Sequence, residues 1–211
     1  MHLDSIHKQI LKVMLVALFI VGASPMLSQV APSARESGVP LAVGVGLSDF
    51  DLDWGKNPNG NERRMEGISA WIDFTVPYTP KVLRGLGIEL EGHDIDFSAP
   101  AAAPTMRQDT ALAGGIYTWR HYHNFHPYVK YLAGIGSIDF QVLPNAPVWY
   151  RHDTRTVYAP GGGLEYRAFR SLWVRGDYEY QFWPKIFGPK TLDPNGYTFG
   201  VAYDFRRLNH R

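Results

Sequence analysis

Hydrophobic and polar residues alternate along most of the chain after residue 40, with the two-residue period of a strand that has one apolar face. The clearest stretch, residues 195–206, reads Asn-Gly-Tyr-Thr-Phe-Gly-Val-Ala-Tyr-Asp-Phe-Arg. Every second residue from Tyr197 to Phe205 is aromatic or aliphatic, and the residues between them are small or polar. This stretch predicts a strand with one apolar face and one face of small and polar groups.

The same alternation recurs in about eight segments, each near or above the roughly 9–11 residues that a tilted membrane-spanning strand needs. They cover residues 41–48, 68–76, 86–93, 109–120, 128–141, 154–168, 172–182 and 195–206. In the fourth segment, odd-numbered and even-numbered residues compete for the apolar face, so its orientation stays open. Ile138 leaves the apolar set of the fifth segment, which predicts a bulge or an exit from the bilayer, and Pro160 predicts a bulge or kink in the sixth.

Long and short connections alternate between these segments. The connections at residues 55–64, 98–107, 142–153 and 184–194 are long, whereas those at 77–83, 121–126 and 169–171 are shorter. One rim of long loops and one rim of short turns is the layout of outer-membrane barrels. We therefore predict an all-β protein in which residues 39–206 form an eight-stranded antiparallel up-and-down transmembrane β-barrel.

Charged residues of both signs fall on the face opposite the apolar one. An Arg or Lys that faced lipid at the bilayer midplane would cost roughly 2–4 kcal/mol, so a membrane barrel must turn this face to its lumen. The predicted lumen charge network consists of Glu89, Glu91, Lys130, Glu165, Arg167, Arg175, Asp177 and Glu179. A soluble barrel of the lipocalin kind, with the apolar face inside, is the alternative. Glycines on the charged face, and tyrosines and tryptophans near the strand ends, favour the membrane barrel.

The short connection at residues 169–171 predicts the register between the sixth and seventh segments. Directly opposed residues of an antiparallel hairpin share a face. This connection sets Glu165 opposite Arg175, and Arg167 opposite Trp173. We predict an ion pair between Glu165 and Arg175 inside the barrel.

Three stretches carry a resemblance to a known family. They are Tyr-Ala-Pro-Gly-Gly-Gly-Leu-Glu-Tyr-Arg at residues 158–167, Leu-Trp-Val-Arg-Gly-Asp-Tyr-Glu-Tyr at residues 172–180, and the final strand. Together they resemble the carboxy-terminal half of the small OmpA/OmpX-like outer-membrane β-barrel family, whose members are often called porin-like. The resemblance implies a place in the outer membrane of the Gram-negative cell envelope. It also implies contact with outer-membrane lipids and lipopolysaccharide, and insertion by the barrel assembly machinery.

The final strand also resembles the signal that this machinery reads, polar-x-Gly-x-x-aromatic-x-aromatic. Gly200, Tyr203 and Phe205 stand at its glycine and aromatic positions. Members of the family usually end at the last aromatic residue, whereas residues 207–211 are expected to form a short periplasmic tail here. A peptidoglycan-binding domain of the kind that OmpA carries is not expected.

The amino terminus has the layout of a secretory signal peptide, which we assign to residues 1–33 with cleavage somewhere within 23–34. Lys8 and Lys12 precede an apolar run at residues 13–21, followed by small and turn-forming residues. The run is far shorter than the roughly 20 residues of a membrane-spanning helix. We therefore predict export and cleavage rather than a membrane anchor.

Composition narrows the function further. The 211 residues suit one domain, and 21 Lys plus Arg against 20 Asp plus Glu give a net charge of +1, so no nucleic-acid partner is predicted. The chain has no Cys, which excludes disulfides and thiolate metal sites. An eight-stranded barrel is only just wide enough for side chains to fill it, which argues against a general diffusion pore.

Candidate chemistry is sparse in the sequence. His121, His123 and His126 form a His-x-His-x-x-His group that we interpret as polar turn residues rather than a metal site, and no cofactor is predicted. Nucleophilic catalysis by Ser needs a neighbouring His and an orienting acid. No Ser in the sequence has a suitably placed His, so no enzyme is predicted.

We predict a structural or adhesin-like role, with binding carried by extracellular loops. The candidate contact residues are Trp54, Arg63, Arg64, Trp149, Tyr150 and Arg151. A small barrel enzyme that modifies lipid A and a narrow porin-like channel are the alternatives, and all three rest on analogy between folds.

Overall fold

The computed structural model of the chain describes residues 40–52, 64–77, 80, 83–97, 106–120, 123–140, 152–186 and 188–205. Its strands are β1 (Leu41–Asp51), β2 (Arg64–Thr75), β3 (Leu86–Phe97), β4 (Met106–Thr118), β5 (Phe125–Phe140), β6 (His152–Arg167), β7 (Leu172–Tyr180), β8 (Trp183–Ile186), β9 (Lys190–Leu192) and β10 (Asn195–Asp204). Within these ranges there is no helix with the length and hydropathy needed to cross a bilayer.

Eight strands form a closed barrel in the order β1-β10-β7-β6-β5-β4-β3-β2, and all neighbours are antiparallel. Strand β10 pairs with both β1 and β7 and so closes the barrel. The predicted eight-stranded antiparallel barrel is therefore confirmed. We call the end that holds the β2–β3, β4–β5 and β6–β7 connections the short-turn end, and the opposite end the long-loop end.

The outer face of the barrel carries an apolar band. Leu47, Ile135 and Phe199 are 64%, 61% and 66% exposed on it. Successive side chains of a strand point to opposite faces, so the residues between the band positions point inward. An apolar exterior around a closed barrel is what a bilayer requires, and it rejects the alternative of a soluble barrel with its apolar face inside.

The same alternation decides the orientation that the sequence left open in β4. Leu112 and Ile116 are buried on the inner face, and Ala111 and Ala113 are exposed outside. Strand β5 also keeps one phase, since Ile138 is buried on the inner face and the register with β4 and β6 does not shift. The predicted bulge is wrong because the inner face is itself apolar at the level of Ile138.

Pro160 does not interrupt β6 either. It pairs with Tyr131 of β5 in an unshifted register, so the predicted bulge is wrong here too. The pairing with β7 runs from Gly161 onward, and the next contact beyond Pro160 is a bridge between Tyr158 and Phe182. Pro160 stands in the gap between the two, where it has no N–H to donate to β7.

Strands β8 and β9 form a hairpin in a stretch for which the sequence predicts a long loop. Gly188 lies in its turn with a φ of 117°, a conformation that glycine adopts without strain. Trp183, Ile186 and Leu192 of the hairpin are buried with the inner-face residues of the barrel. An added Cβ at Gly136 would overlap the Trp183 ring, so this glycine makes room for the hairpin inside the mouth of the barrel.

Candidate functional site

The inner face of the barrel is charged toward the short-turn end. Six members of the predicted charge network are almost completely buried there: Glu89, Glu91, Lys130, Arg175, Asp177 and Glu179. They lie at alternating positions of β3, β5 and β7, which do not neighbour one another in the barrel. The structure therefore brings them together across the lumen rather than along one pair of strands.

Arg175 is the centre of this layer. Its two terminal nitrogens donate to the carboxylate of Glu89 at 2.8 and 3.0 Å, which is a bidentate pair between β7 and β3. Its Nε donates to Asp177 at 2.9 Å and to the hydroxyl of Tyr128 at 2.6 Å. Asp73 completes the set at 3.4 Å from Nη1. A fully buried guanidinium is thus surrounded by acceptors, which is the condition for burying a charge.

Two aromatic rings hold the guanidinium from its sides. The Arg175 carbon Cζ lies 4.7 Å from the ring centre of Trp71 and 4.5 Å from that of Tyr128. The Trp71 ring in turn occupies space that Gly44 and Gly200 leave open, because an added Cβ at either glycine would overlap it. Gly200, which we predicted as part of the assembly signal, therefore also has a packing role in the lumen.

Lys130 forms a second cationic centre. Its ammonium group contacts Glu91 and lies 3.0 Å from Glu179 Oε2, 3.5 Å from Glu89 Oε1 and 3.8 Å from Asp177 Oδ1. Arg175 and Lys130 thus share Glu89 and Asp177 between them. The two cations form one connected network, in which the loss of either would leave carboxylates of the other without compensation.

His93 belongs to this network although it was absent from the predicted set. Its Nε2 lies 3.3 Å from Glu91 Oε1 and 3.8 Å from Glu179 Oε1, and its Nδ1 lies 3.2 Å from the hydroxyl of Ser48. The ring of Phe50 meets it edge-on, with 5.3 Å between ring centres. The alternation of β3 already placed His93 on the face of the glutamates, so parity was the signal that could have included it.

Glu165 and Arg167 lie on the same face, nearer the short-turn end, and are only partly buried. Glu165 stands directly opposite Arg175, and Arg167 opposite Trp173, so the predicted register is confirmed. The expected ion-pair partner is different, because the guanidinium turns across the lumen to Glu89. Glu165 instead lines a pocket that opens at the short-turn end, together with Arg120.

Toward the long-loop end the inner face changes from charged to apolar. We call this layer the plug. It consists of buried residues of the barrel wall and the β8–β9 hairpin: Phe50, Leu52, Met65, Ile95, Met106, Leu112, Leu132, Ile138, Val157, Ala159, Trp183, Ile186 and Leu192. Gln181 joins it to the charged layer, since it accepts from the Trp183 indole at 3.0 Å and donates to Glu179 at 2.8 Å.

The rim at the long-loop end is polar and exposed. Arg64 donates to Asp49 at 2.9 Å, and Arg107 lies 3.1 Å from Asp94 and 3.2 Å from Asp109. Arg64 is thus a predicted contact residue that the structure puts on the rim. The other predicted contacts (Trp54, Arg63, Trp149, Tyr150 and Arg151), residues 1–33 and the tail lie outside the described residues.

A second group on the rim escaped the sequence analysis. His152 Nδ1 lies 2.6 Å from Asp139 Oδ1, and His152 Nε2 lies 3.1 Å from the hydroxyl of Thr154. Asp139 and His152 are directly paired between β5 and β6, and Thr154 is two residues further on the same face. The His-x-Thr spacing on one strand face is the signal for this group in the sequence, and a prediction limited to Ser as the nucleophile leaves it out.

The remaining predicted residues fall at the short-turn end. His126 is buried in β5, 4.4 Å from the ring of Trp173, so it is an inner-face residue rather than the predicted turn residue. His123 is exposed, and His121 lies outside the described residues. Tyr203 and Phe205 contact each other with 4.9 Å between ring centres.

Comparisons with known proteins agree with this architecture. Neisserial surface protein A has a solved structure with a TM-score of 0.60 and 13% identity, covering 81% of this chain and 100% of that chain. Ail, the attachment invasion locus protein of Yersinia pestis, has a TM-score of 0.55 and 14% identity, covering 78% and 97%. No curated protein sequence matches the chain. A family profile described as outer membrane protein beta-barrel domain matches residues 15–205, so the chain belongs to this family and is a protein of the bacterial outer membrane.

Proposed function

We propose that this barrel has a side-chain-filled lumen without a conducting path, and that it acts at the cell surface as an adhesin-like binding protein. The observation that carries the proposal is the plug. Trp183, Ile186 and Leu192 close the mouth of the barrel with apolar side chains, and the charged layer around Arg175 and Lys130 lies beyond them. A hydrated channel would have to cross both layers, which opposes the porin-like alternative.

The length of two strands supports a role for the rim. Strands β5 and β6 have 16 residues each, whereas a tilted strand crosses a bilayer with roughly 9–11. Their outer face turns polar toward the long-loop end, where Ser137, Asp139, His152 and Thr154 follow the apolar band. This part of the hairpin extends above the lipid and offers a rigid surface to a partner.

The charge of the rim favours one class of partner. Described side chains near the long-loop end include the carboxylates Asp49, Asp51, Glu66, Asp94, Asp96, Asp109, Asp139, Asp153 and Asp193, and the cations Arg64, Arg107, Arg155 and Lys185. The surplus of negative charge favours a basic surface on the partner. Ail has a solved structure in complex with sucrose octasulfate, a heparin analogue, which is a polyanion. The acidic rim described here favours a polycation instead.

Two measurements test this proposal. Planar-bilayer recordings of the purified barrel should show no conductance steps, and reproducible steps would overturn the closed lumen. Cells that display the protein should bind fluorescent polylysine more strongly than fluorescent heparin. Replacement of Asp94, Asp96 and Asp109 by Asn should weaken polylysine binding, with Ser137→Ala as the control. Equal binding by the triple variant, or stronger binding of heparin, would overturn the charge argument.

A lipid-modifying enzyme is the second candidate, favoured by the group on the rim. Asp139, His152 and Thr154 have the acid–base–nucleophile order of a catalytic triad, in which the acid orients the His and the His removes the hydroxyl proton. The group faces outward just above the apolar band, where ester bonds of outer-leaflet lipids would reach it. Thr154 Oγ1 would take the acyl group, and His152 would pass the proton to the departing alkoxide before water releases the acid.

Mass spectrometry of lipid A and of phospholipids separates the two candidates. The enzyme reading requires a deacylated species in cells with the protein, retained by Thr154→Ser and lost in Thr154→Val and His152→Gln. Identical lipid profiles in all of these strains would remove it. Loss of surface binding in the rim triple variant with unchanged lipids would support the adhesin.

We further propose that the barrel assembly machinery inserts the chain through its last strand, among outer-membrane lipids and lipopolysaccharide. Tyr203 and Phe205 occupy the aromatic positions of the proposed signal, next to the β1–β10 seam. The double substitution of both by Ser should leave the protein in the periplasm. A normal outer-membrane yield of that variant would contradict the proposal.

A further inference from the structure

We propose that Glu91, His93 and Glu179 hold a divalent transition-metal ion of the zinc class inside the barrel. One carboxylate oxygen of each glutamate and one ring nitrogen of His93 lie within 4.8 Å of one another. His93 Nε2 stands 3.3 Å from Glu91 Oε1 and 3.8 Å from Glu179 Oε1. Zinc bonds of about 2.0–2.2 Å at tetrahedral angles separate ligand atoms by roughly 3.3–3.6 Å, so small side-chain movements would bring all three atoms to bonding distance.

Each of the two glutamates faces Lys130 with one carboxylate oxygen and His93 with the other. Glu91 Oε2 and Glu179 Oε2 face the ammonium group of Lys130. The Oε1 atoms of both residues face His93 instead, and Glu179 Oε1 also accepts from Gln181 Nε2 at 2.8 Å. The proposed ion therefore binds on the His93 side and does not occupy the position of the Lys130 ammonium.

Buried polar atoms point at this position without hydrogen bonds. Glu91 Oε1 and His93 Nε2 stand 3.3 Å apart, neither has a well-oriented hydrogen-bond partner among the described residues, and both residues are only 4% exposed. Such atoms are rare in folded proteins, and each one calls for a specific explanation. A metal ion between them would satisfy a carboxylate oxygen and an imidazole nitrogen at the same time.

The charge of the whole layer gives an independent reason. Around the buried cations Arg175 and Lys130, the buried or nearly buried carboxylates are Asp73, Glu89, Glu91, Asp177 and Glu179. With all five carboxylates ionised and His93 neutral, the negative charges would exceed the positive ones by three. Uncompensated buried charge is costly, and a divalent ion would offset two of these charges where a protonated His93 would offset one.

The surroundings of His93 match those of a metal ligand. Its Nδ1 lies 3.2 Å from Ser48 Oγ, and Ser48 lies 2.9 Å from Thr198 Oγ1. A metal-bound His usually donates its second ring N–H to an acceptor, which fixes the ring and leaves the other nitrogen free to coordinate, and the Ser48 hydroxyl oxygen is in position to accept it. Phe50 packs against the ring and adds an apolar wall on the side of the plug.

The mixture of donors selects the class of ion. One imidazole and two carboxylates suit zinc and its neighbours, whereas sites for magnesium and calcium are built from oxygen alone. At the short-turn end a pocket lined by Asp73, Glu165 and Arg120 reaches the charged layer at Asp73. The plug closes the other end.

The test uses the full protein extracted from outer membranes in detergent. Every sample carries His121→Asn, His123→Asn and His152→Gln, so that these three imidazoles do not contribute. The protein is treated with a chelator, dialysed and loaded with Co²⁺. We expect one tightly held ion per chain by elemental analysis, together with the visible absorption of four-coordinate Co²⁺. Binding no stronger than that of a boiled sample would overturn the proposal.

Variants assign the site. His93→Gln and Glu179→Gln should each abolish the Co²⁺ spectrum, and Ser48→Ala should weaken binding by roughly 10–100-fold, as expected for a residue that orients a ligand. Lys130→Met should bind more tightly, because it removes a cation that repels the ion and shares the same carboxylates. Gel mobility with and without boiling verifies that each variant has folded.

If a variant fails to fold, Co²⁺ binding by the parent protein still tests whether the barrel holds an ion. A Co²⁺ spectrum that persists in folded His93→Gln would place the ion elsewhere and overturn the assignment. Unchanged or weaker binding in folded Lys130→Met would contradict the predicted competition between the two cations.

Discussion

In the short-turn half of the barrel the inner face is charged, with Arg175 and Lys130 among buried carboxylates, whereas in the long-loop half the same face is apolar. Both halves lie behind one outer face that stays apolar over the membrane. Each half also seats a tryptophan against glycine: Trp71 in the charged layer and Trp183 in the plug. The two halves thus share an architecture and differ in the chemistry that fills it.

This difference shows which face of a barrel strand carries the sequence signal. Lipid constrains the outer face to be apolar, so the period of two is regular there. The inner face has no such constraint, because it has only to fill the space between opposing strands. The break at Ile138 therefore marked a change in lumen chemistry and not a change in strand phase.

The largest effect is expected from removing the central cation of the charged layer. Arg175→Leu leaves Glu89, Asp177 and Asp73 without their shared donor. Removing one partner of a buried pair costs about 3–5 kcal/mol, because the remaining charge stays buried. Urea unfolding in detergent micelles, followed by tryptophan fluorescence, measures the loss in free energy of unfolding.

A double-mutant cycle tests whether Glu89 is the main partner. Adding Glu89→Leu should recover part of the stability lost in Arg175→Leu, since one charge of the pair no longer remains alone. The same cycle with Glu165→Leu should give a smaller coupling, because Arg175 turns to Glu89. A larger coupling with Glu165 would show that the pairing follows strand register after all.

A smaller loss is expected when the plug is opened. Trp183→Ala removes a fully buried indole and should cost about 3 kcal/mol, the lower end for a buried aromatic residue, since water can enter from the rim. Phe169→Ala is the control, because Phe169 is 73% exposed in a turn. Equal unfolding free energies for the two variants would mean that the hairpin does not fill the mouth in the folded protein.

The barrel could be predicted from the sequence because strand alternation and turn length are properties of neighbouring residues. Alternation and connection length together gave the strand number, the closure of β10 on β1 and the opposition of Glu165 and Arg175. The ion-pair partner could not be predicted in this way. Glu89 reaches Arg175 across the lumen, and neither register nor parity describes contacts between strands that are not neighbours.

The hairpin and the rim group were missed for other reasons. Strands β8 and β9 have four and three residues, too short to show a period, although the Gly188-Pro189 dipeptide marked a turn between apolar residues. The approach of Asp139 to His152 depends on the β5–β6 register. That register follows a connection whose length alone does not determine the pairing.

Glycine substitutions in the two halves are expected to have smaller effects on the free energy of unfolding. Gly136→Ala in the plug and Gly44→Ala in the charged layer should each cost about 1–3 kcal/mol, because an added Cβ meets Trp183 or Trp71. Gly115→Ala on the outer face should have almost no effect, since nothing lies within 4 Å of its added Cβ. Unfolding free energies of the three variants provide the measurement. A cost for Gly115→Ala equal to the others would point to backbone flexibility rather than packing.

The smallest effect is expected on the rim, where an arginine also lies among carboxylates but is exposed to water. Arg107 lies between Asp94 and Asp109 much as Arg175 lies among its carboxylates, but its side chain is 53% exposed. Exposed ion pairs contribute about 0–1 kcal/mol and are screened by salt. Arg107→Gln should therefore lower the free energy of unfolding by less than about 1 kcal/mol at low salt, and should leave it unchanged in high salt. Arg175→Leu should keep most of its cost under the same conditions, because salt does not reach the buried layer. A salt-insensitive loss in Arg107→Gln would indicate that the rim is closed from solvent by the loops above it.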